Sequence, residues 1–91
     1  MASFSISKPH TMTREDVRDA AENLAKGLKD RHGLRYRWRG DTAEFSRSGL
    51  DGRLIISDDN ITVSVKLGLL ASAFERPLKK AVTDYLDEYV S

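Results

Sequence analysis

The feature that most constrains the fold is an alternating segment, residues 34–47, interrupted by Gly40-Asp41. Its aromatic residues all share one side of an extended chain, and almost all of its arginines share the other. A two-residue turn with glycine first is typical of a type II′ hairpin, because only glycine takes a positive φ there without steric cost. A register slip of one residue would expose every aromatic ring, so the register is strongly specified. The predicted pairs are Arg39 with Thr42, Trp38 with Ala43, Arg37 with Glu44, and Tyr36 with Phe45.

Four further segments have clear periodicity. Residues 3–8 alternate and predict a strand that ends at Pro9. A helix is predicted from an N-cap at Thr13 to a left-handed C-cap at Gly33. Residues 48–52 are predicted as a loop, followed by a second hairpin with strands at 53–57 and 61–67. Residues 69–90 have helical spacing, and the proline at position 77 predicts a kink or break near residues 73–76.

The predicted order is therefore βαββββα, in one α+β domain spanning residues 1–91. Both helices must cover the same face of a mainly antiparallel, five-stranded sheet, because the other face is polar. The C-terminal helix is expected to lie across the sheet, so this two-layer arrangement is similar to a reduced helix-grip fold.

Composition excludes several kinds of chemistry. The chain has no cysteine, which removes disulfides, thiolate nucleophiles and sulfur-ligated zinc. Its two histidines, His10 and His32, have no metal-ligand spacing, and no P-loop, nucleophile elbow or Rossmann glycine motif is present. We therefore expect no metal, no cofactor and no enzymatic activity. With no leader and no run of 18 apolar residues, a soluble cytoplasmic protein without a membrane span is expected.

One sheet face is predicted to be basic, with Glu44 and hydroxyl side chains between the cations. It could dock phosphate, nucleic acid or an acidic partner. The interpretation we favour over a partner site is a solvated face with cross-strand ion pairs. Nucleic acid is the least favoured partner, since the aromatic rings that would stack on bases fall on the opposite face. The basic residues are Arg35, Arg37, Arg39, Arg53 and Lys66.

Two apolar sites are candidates for binding. Trp38, Phe45 and Phe74 could line a cavity for a small acyl ligand between the sheet and the last helix, although plain core is favoured. Residues 67–74, with Leu69, Leu70 and Phe74, could contact an apolar surface; a buried strand-to-helix corner is the favoured interpretation.

Two features bear on a homodimer. Ile55 is an apolar residue on the charged sheet face, and it is either a scattered surface residue or the centre of a sheet-to-sheet contact. The last helix is basic near its start and acidic near its end, which fits either a solvated face or an antiparallel pairing with a second copy. Both questions stay open on the sequence.

The chain resembles a small bacterial family, the polyhydroxyalkanoic acid (PHA) system proteins. The likeness covers nearly the whole chain. It is carried by Gly33-Leu34 into Trp38, Gly40-Asp41, Phe45, Ser48-Gly49, Asp51-Gly52, Val63-Ser64-Val65 into Leu67-Gly68, Phe74, Pro77-Leu78 and Tyr85-Leu86-Asp87. The resemblance implies a granule-associated or regulatory role in PHA storage, and it assigns no catalytic residues.

Three functions follow as expectations. The first is a non-catalytic accessory protein of PHA storage that contacts the granule surface or another protein of that system. The second is an acyl-binding module, and the third is a nucleic-acid-binding regulator that uses the basic sheet face.

Overall fold

Five strands form one sheet in the order β1-β5-β4-β3-β2, and every neighbouring pair is antiparallel. The structure is a computed structural model that describes residues 2–91. The strands are β1 (Ala2–Pro9), β2 (Arg35–Arg39), β3 (Thr42–Arg47), β4 (Leu50–Ile56) and β5 (Asn60–Leu67). The helices are α1 (Arg14–His32) and α2 (Glu75–Tyr89), the latter preceded by a 3₁₀ segment (Leu69–Phe74). The predicted βαββββα order and α+β class are confirmed.

The β2–β3 hairpin has the predicted register. All four predicted pairs are present, from Tyr36 opposite Phe45 to Arg39 opposite Thr42. Gly40 has a φ of 59°, and among residues 2–91 no other residue type adopts a positive φ. A positive φ at the first turn position and not at the second is the type II′ pattern.

Helix α1 begins and ends at the two capping residues that the sequence predicts. The Thr13 side chain accepts a hydrogen bond from the Asp16 amide at 3.1 Å, which satisfies one of the donors left free at a helix start. Gly33 ends the helix in the left-handed conformation with a φ of 69°. Its amide bonds back to the Lys29 carbonyl at 3.1 Å.

The prediction of a loop over residues 48–52 is wrong. The chain turns only at Ser48-Gly49, and β4 already begins at Leu50, which pairs with Arg47. Gly52 is a tightly packed strand residue: a Cβ there would lie 3.2 Å from the Ser64 carbonyl oxygen. The absence of a side chain lets the Ser64 carbonyl approach Gly52 closely, whereas a glycine in a sequence usually indicates a loop.

The predicted break before α2 is confirmed. The 3₁₀ segment ends at Phe74, and α2 continues to Tyr89. Pro77 occupies the first turn of α2, where a backbone amide has no partner within the helix, so proline costs little there.

Both helices cover the same face of the sheet, as predicted. The Tyr85 hydroxyl of α2 donates to the Ala20 carbonyl of α1 at 2.7 Å, and this bond joins the two helices directly. Every second residue of β4 and β5 is buried beneath them, including Leu54 and Val63. The opposite face of the sheet, called the outer face below, carries the polar residues.

Candidate functional site

The outer face brings all five predicted basic residues together. Strand register places Arg53 between Ser64 and Glu44, and Glu44 is followed by Arg37 on the edge strand. The neighbouring cross-strand rows hold the other basic residues, Arg35, Arg39 and Lys66. The five basic residues predicted to share one sheet face therefore lie on a single surface.

Within residues 2–91, the ion pairs of the outer face involve a single carboxylate. Glu44 lies 3.4 Å from Arg37 Nε and 3.9 Å from Arg39 Nη1. Such exposed pairs contribute little to stability. Arg53 and Lys66 make no ion pair among residues 2–91. An open depression of about 1200 Å³ lies on this face. The geometry fits the solvated face that we favour and also leaves cations available to an anionic partner.

Trp38 lies at the edge of the inner face and is clamped by α1. Its indole Nε1–H donates to Glu22, and the Tyr36 hydroxyl donates to the other oxygen of the same carboxylate at 2.8 Å. The Arg18 guanidinium stacks on the Trp38 ring at 3.7 Å from its centroid. Polar partners for these aromatic tips are predicted by their chemistry, but the sequence does not identify Glu22 as the acceptor.

The Glu22 carboxylate gives the fold a pH dependence. Burial alone would raise the pKa of Glu22, but hydrogen bonds from Trp38 and Tyr36, with Lys26 and Arg18 nearby, lower the pKa below its ordinary value. A lowered folded-state pKa adds stability that is present above the unfolded pKa and is lost as pH falls through the folded pKa.

We expect Glu22→Gln to be about 1 kcal/mol less stable than the wild type at pH 7, because a charged acceptor is replaced by a neutral one. The difference should shrink as pH falls below about 4.3, the ordinary pKa of glutamate. Urea melts of both proteins across this range test the prediction. A difference that stays constant with pH would contradict it.

The three aromatic residues proposed for an acyl cavity have different surroundings. Phe45 is buried and packs beside Tyr36, with ring centroids 6.0 Å apart. Trp38 is held against α1, whereas Phe74 lies under the Arg47 guanidinium, 4.8 Å from its ring centroid. Trp38 pairs with Ala43, four residues before Arg47, and this spacing corresponds to about 13 Å along a strand. The structure therefore does not bring Trp38 and Phe74 together.

The corner over residues 67–74 has two exposed leucines. Leu67 and Ala71 are buried, but Leu69 is 76% exposed, Leu70 is 95% exposed and Phe74 is 41% exposed. The favoured interpretation as a buried corner is therefore wrong for Leu69 and Leu70. We call Leu69, Leu70 and Phe74 the apolar patch.

Backbone contacts fix the apolar patch to the sheet. The Gly68 amide donates to the Gly49 carbonyl at 2.7 Å, and a Cβ on Gly68 would lie 3.3 Å from that same oxygen. The Ser72 hydroxyl closes the 3₁₀ turn on the Leu69 carbonyl at 2.8 Å. The leucines therefore project from an ordered turn.

His10 has hydrogen-bond partners within the fold. His10 is buried, and its Nε2 lies 2.8 Å from the Ser57 carbonyl while its Nδ1 accepts from the Met12 amide at 3.2 Å. Burial of this loop histidine has no signal in the sequence. Across residues 2–91, no group of three or more His, Cys, Asp or Glu side chains could hold a metal ion.

The features considered for a homodimer are at the surface. Ile55 is 41% exposed on the outer face. On α2, Lys80 pairs with Asp84 at 2.8 Å, and Asp87 pairs with Lys8 of β1 at 3.3 Å. The homodimer stays a prediction.

In the part of the chain that the structure describes, no helix is long and apolar enough to span a membrane.

Comparison with known proteins gives one match. No curated protein and no solved structure matches the chain. A family model described as "Putative polyhydroxyalkanoic acid system protein" matches residues 4–90. That match begins within β1 and runs through the apolar patch to the end of α2. The chain therefore belongs to the polyhydroxyalkanoic acid system protein family.

Proposed function

We propose that this protein is a non-catalytic accessory protein of PHA storage that attaches to the granule surface through the apolar patch. Family membership supports a role related to PHA. The observation that carries the attachment is the exposure of Leu69 and Leu70, 76% and 95%, on an ordered turn of a small domain.

The exposed apolar area would contribute favourably to attachment. Complete burial of a leucine side chain contributes about 1.5–3 kcal/mol, and most of that remains available at Leu69 and Leu70. Phe74 adds a partly exposed ring beside them. The freedom lost on association takes up much or all of this gain, so the patch alone supports at most weak, reversible contact of a folded protein with an apolar polymer.

Co-sedimentation with protein-stripped PHA granules tests the attachment. The wild type should sediment with the granules, whereas L69S/L70S/F74S should stay in the supernatant. The variant lacks the apolar side chains whose removal from water would favour binding. L69S/L70S keeps the half-buried Phe74 and should lose most of the binding as well. Circular dichroism checks that each variant is folded.

The matched control is I55S/Y89S, which removes two exposed apolar side chains elsewhere on the surface. It should bind granules like the wild type. Equal loss of binding in this control would show that the contact is unspecific. Failure of the wild type to bind would contradict direct attachment and favour contact with another protein of the storage system.

A further inference from the structure

Cations border the apolar patch, one in contact with Phe74 and three that follow it along α2. Arg47 lies over the Phe74 ring, and its Nη1 donates to the His32 carbonyl at 2.7 Å. Arg76, Lys79 and Lys80 follow in the first two turns of α2, within about 9 Å of Phe74 along the helix axis. Glu75 is the one carboxylate among residues 69–80. An exposed apolar knob with a basic border is the pattern of a protein that binds at a lipid–water interface.

The order of charges on α2 suits such contact. Basic side chains at a helix start oppose the helix dipole, so the dipole does not explain them. Asp84 pairs with Lys80, whereas Asp87 and Glu88 lie about 12 Å or more beyond Lys79 along the helix axis. That distance exceeds the Debye length of about 8 Å at physiological salt, so Asp87 and Glu88 do not cancel the attraction at Arg76 and Lys79.

We propose that the apolar patch and its basic border together bind an anionic lipid surface. Leu69 and Leu70 enter the acyl boundary, while Arg47, Arg76 and Lys79 contact headgroup phosphates. This inference rests on the proposed use of the patch as a surface contact, and it specifies the chemistry of that surface. A fluid lipid layer fits because the leucines project as a knob, which needs no matching pocket.

The ion-pairing pattern indicates which cations act. Lys80 already pairs with Asp84 at 2.8 Å, whereas Arg76 and Lys79 make no ion pair among residues 2–91. Each lysine or arginine near an anionic surface strengthens binding by about fivefold. Removal of Arg76 and Lys79 together should therefore weaken binding by about 25-fold.

Vesicle co-sedimentation tests the proposal, with vesicles of phosphatidylcholine alone and of phosphatidylcholine mixed with phosphatidylglycerol. The wild type should bind the mixed vesicles much more tightly, and added salt should weaken this binding. R76Q/K79Q should lose about 25-fold in affinity for the mixed vesicles. L69S/L70S should lose binding to both kinds of vesicle.

The matched control is K26Q/K29Q, which removes two exposed lysines of α1 that make no ion pair with any residue from 2 to 91. It should bind like the wild type. Equal affinity of the wild type for both vesicles, no vesicle binding at all, or an equal loss in this control would overturn the proposal.

The stripped granules separate this proposal from the proposed function. Polymer binding that needs Leu69 and Leu70 but not Arg76 and Lys79, without preference for anionic vesicles, would support polymer attachment and overturn the lipid proposal. Binding to anionic vesicles without binding to stripped polymer would support the lipid proposal and contradict direct polymer attachment.

Discussion

Replacement of Leu54 by alanine is expected to destabilise the protein by about 3–5 kcal/mol. Leu54 is fully buried on the central strand β4, directly between Ala43 and Val63, which are themselves buried. The substitution removes apolar contacts and leaves a cavity that a sheet hydrogen-bonded on both sides cannot collapse to fill. A domain of this size is stable by about 5–10 kcal/mol, so much of its stability depends on this side chain.

Urea unfolding followed by tryptophan fluorescence measures this effect, because the chain has a single tryptophan, Trp38. Ile55→Ala is the matched control: it truncates the next residue of the same strand, whose side chain points to the outer face. Its cost should stay under about 1 kcal/mol. Similar losses in the two variants would show that the two faces of β4 do not differ as described.

The fold is predictable where local chemistry and burial agree. Alternation over residues 34–47 and the Gly40 turn specify the β2–β3 register, because a slip would expose Tyr36 and Trp38. Thr13 and Gly33 mark the ends of α1 because few residues satisfy those backbone positions so well. Prediction fails at Gly52, since a glycine in a strand resembles a glycine in a loop until its neighbours across the sheet are known.

The candidate site is less predictable for a related reason. Hydrophobicity favours burial, so Leu69 and Leu70 resemble core residues in the sequence. The 3₁₀ turn buries Ala71 instead and directs the leucines outward. Which side faces the core depends on the contact of Gly68 with Gly49, and these residues are far apart in the sequence. The acceptor for the Trp38 indole, Glu22, is likewise distant in the sequence, and the packing of α1 over β2 determines it.

Separation of two surfaces has a functional consequence. The apolar patch extends from the junction of β5 and α2, whereas the basic outer face is the side of the sheet opposite both helices. Contact through the patch therefore does not consume the cations Arg37 and Arg53 of the outer face. Under the proposed attachment through the patch, the outer face would stay available to a second component.

Trp38→Ala is expected to cost about 3 kcal/mol, at the lower end of the range for tryptophan truncation because the ring is half-buried at the sheet edge. The loss combines three contacts: apolar burial against α1, stacking under Arg18, and the indole hydrogen bond to Glu22. The cost should be smaller than that of Leu54→Ala, since solvent can fill part of the space that Trp38 leaves.

Trp38→Phe separates the contributions to this loss, because it keeps an aromatic face for Arg18 but removes the donor to Glu22. It should cost about 1 kcal/mol, the usual contribution of one hydrogen bond with a partly exposed partner. Since both variants lack the fluorescent probe, circular dichroism in urea measures them. A loss under about 1 kcal/mol for Trp38→Ala would mean that Trp38 is not held against α1. The β2–β3 register, which directs Trp38 toward α1, would then be wrong as well.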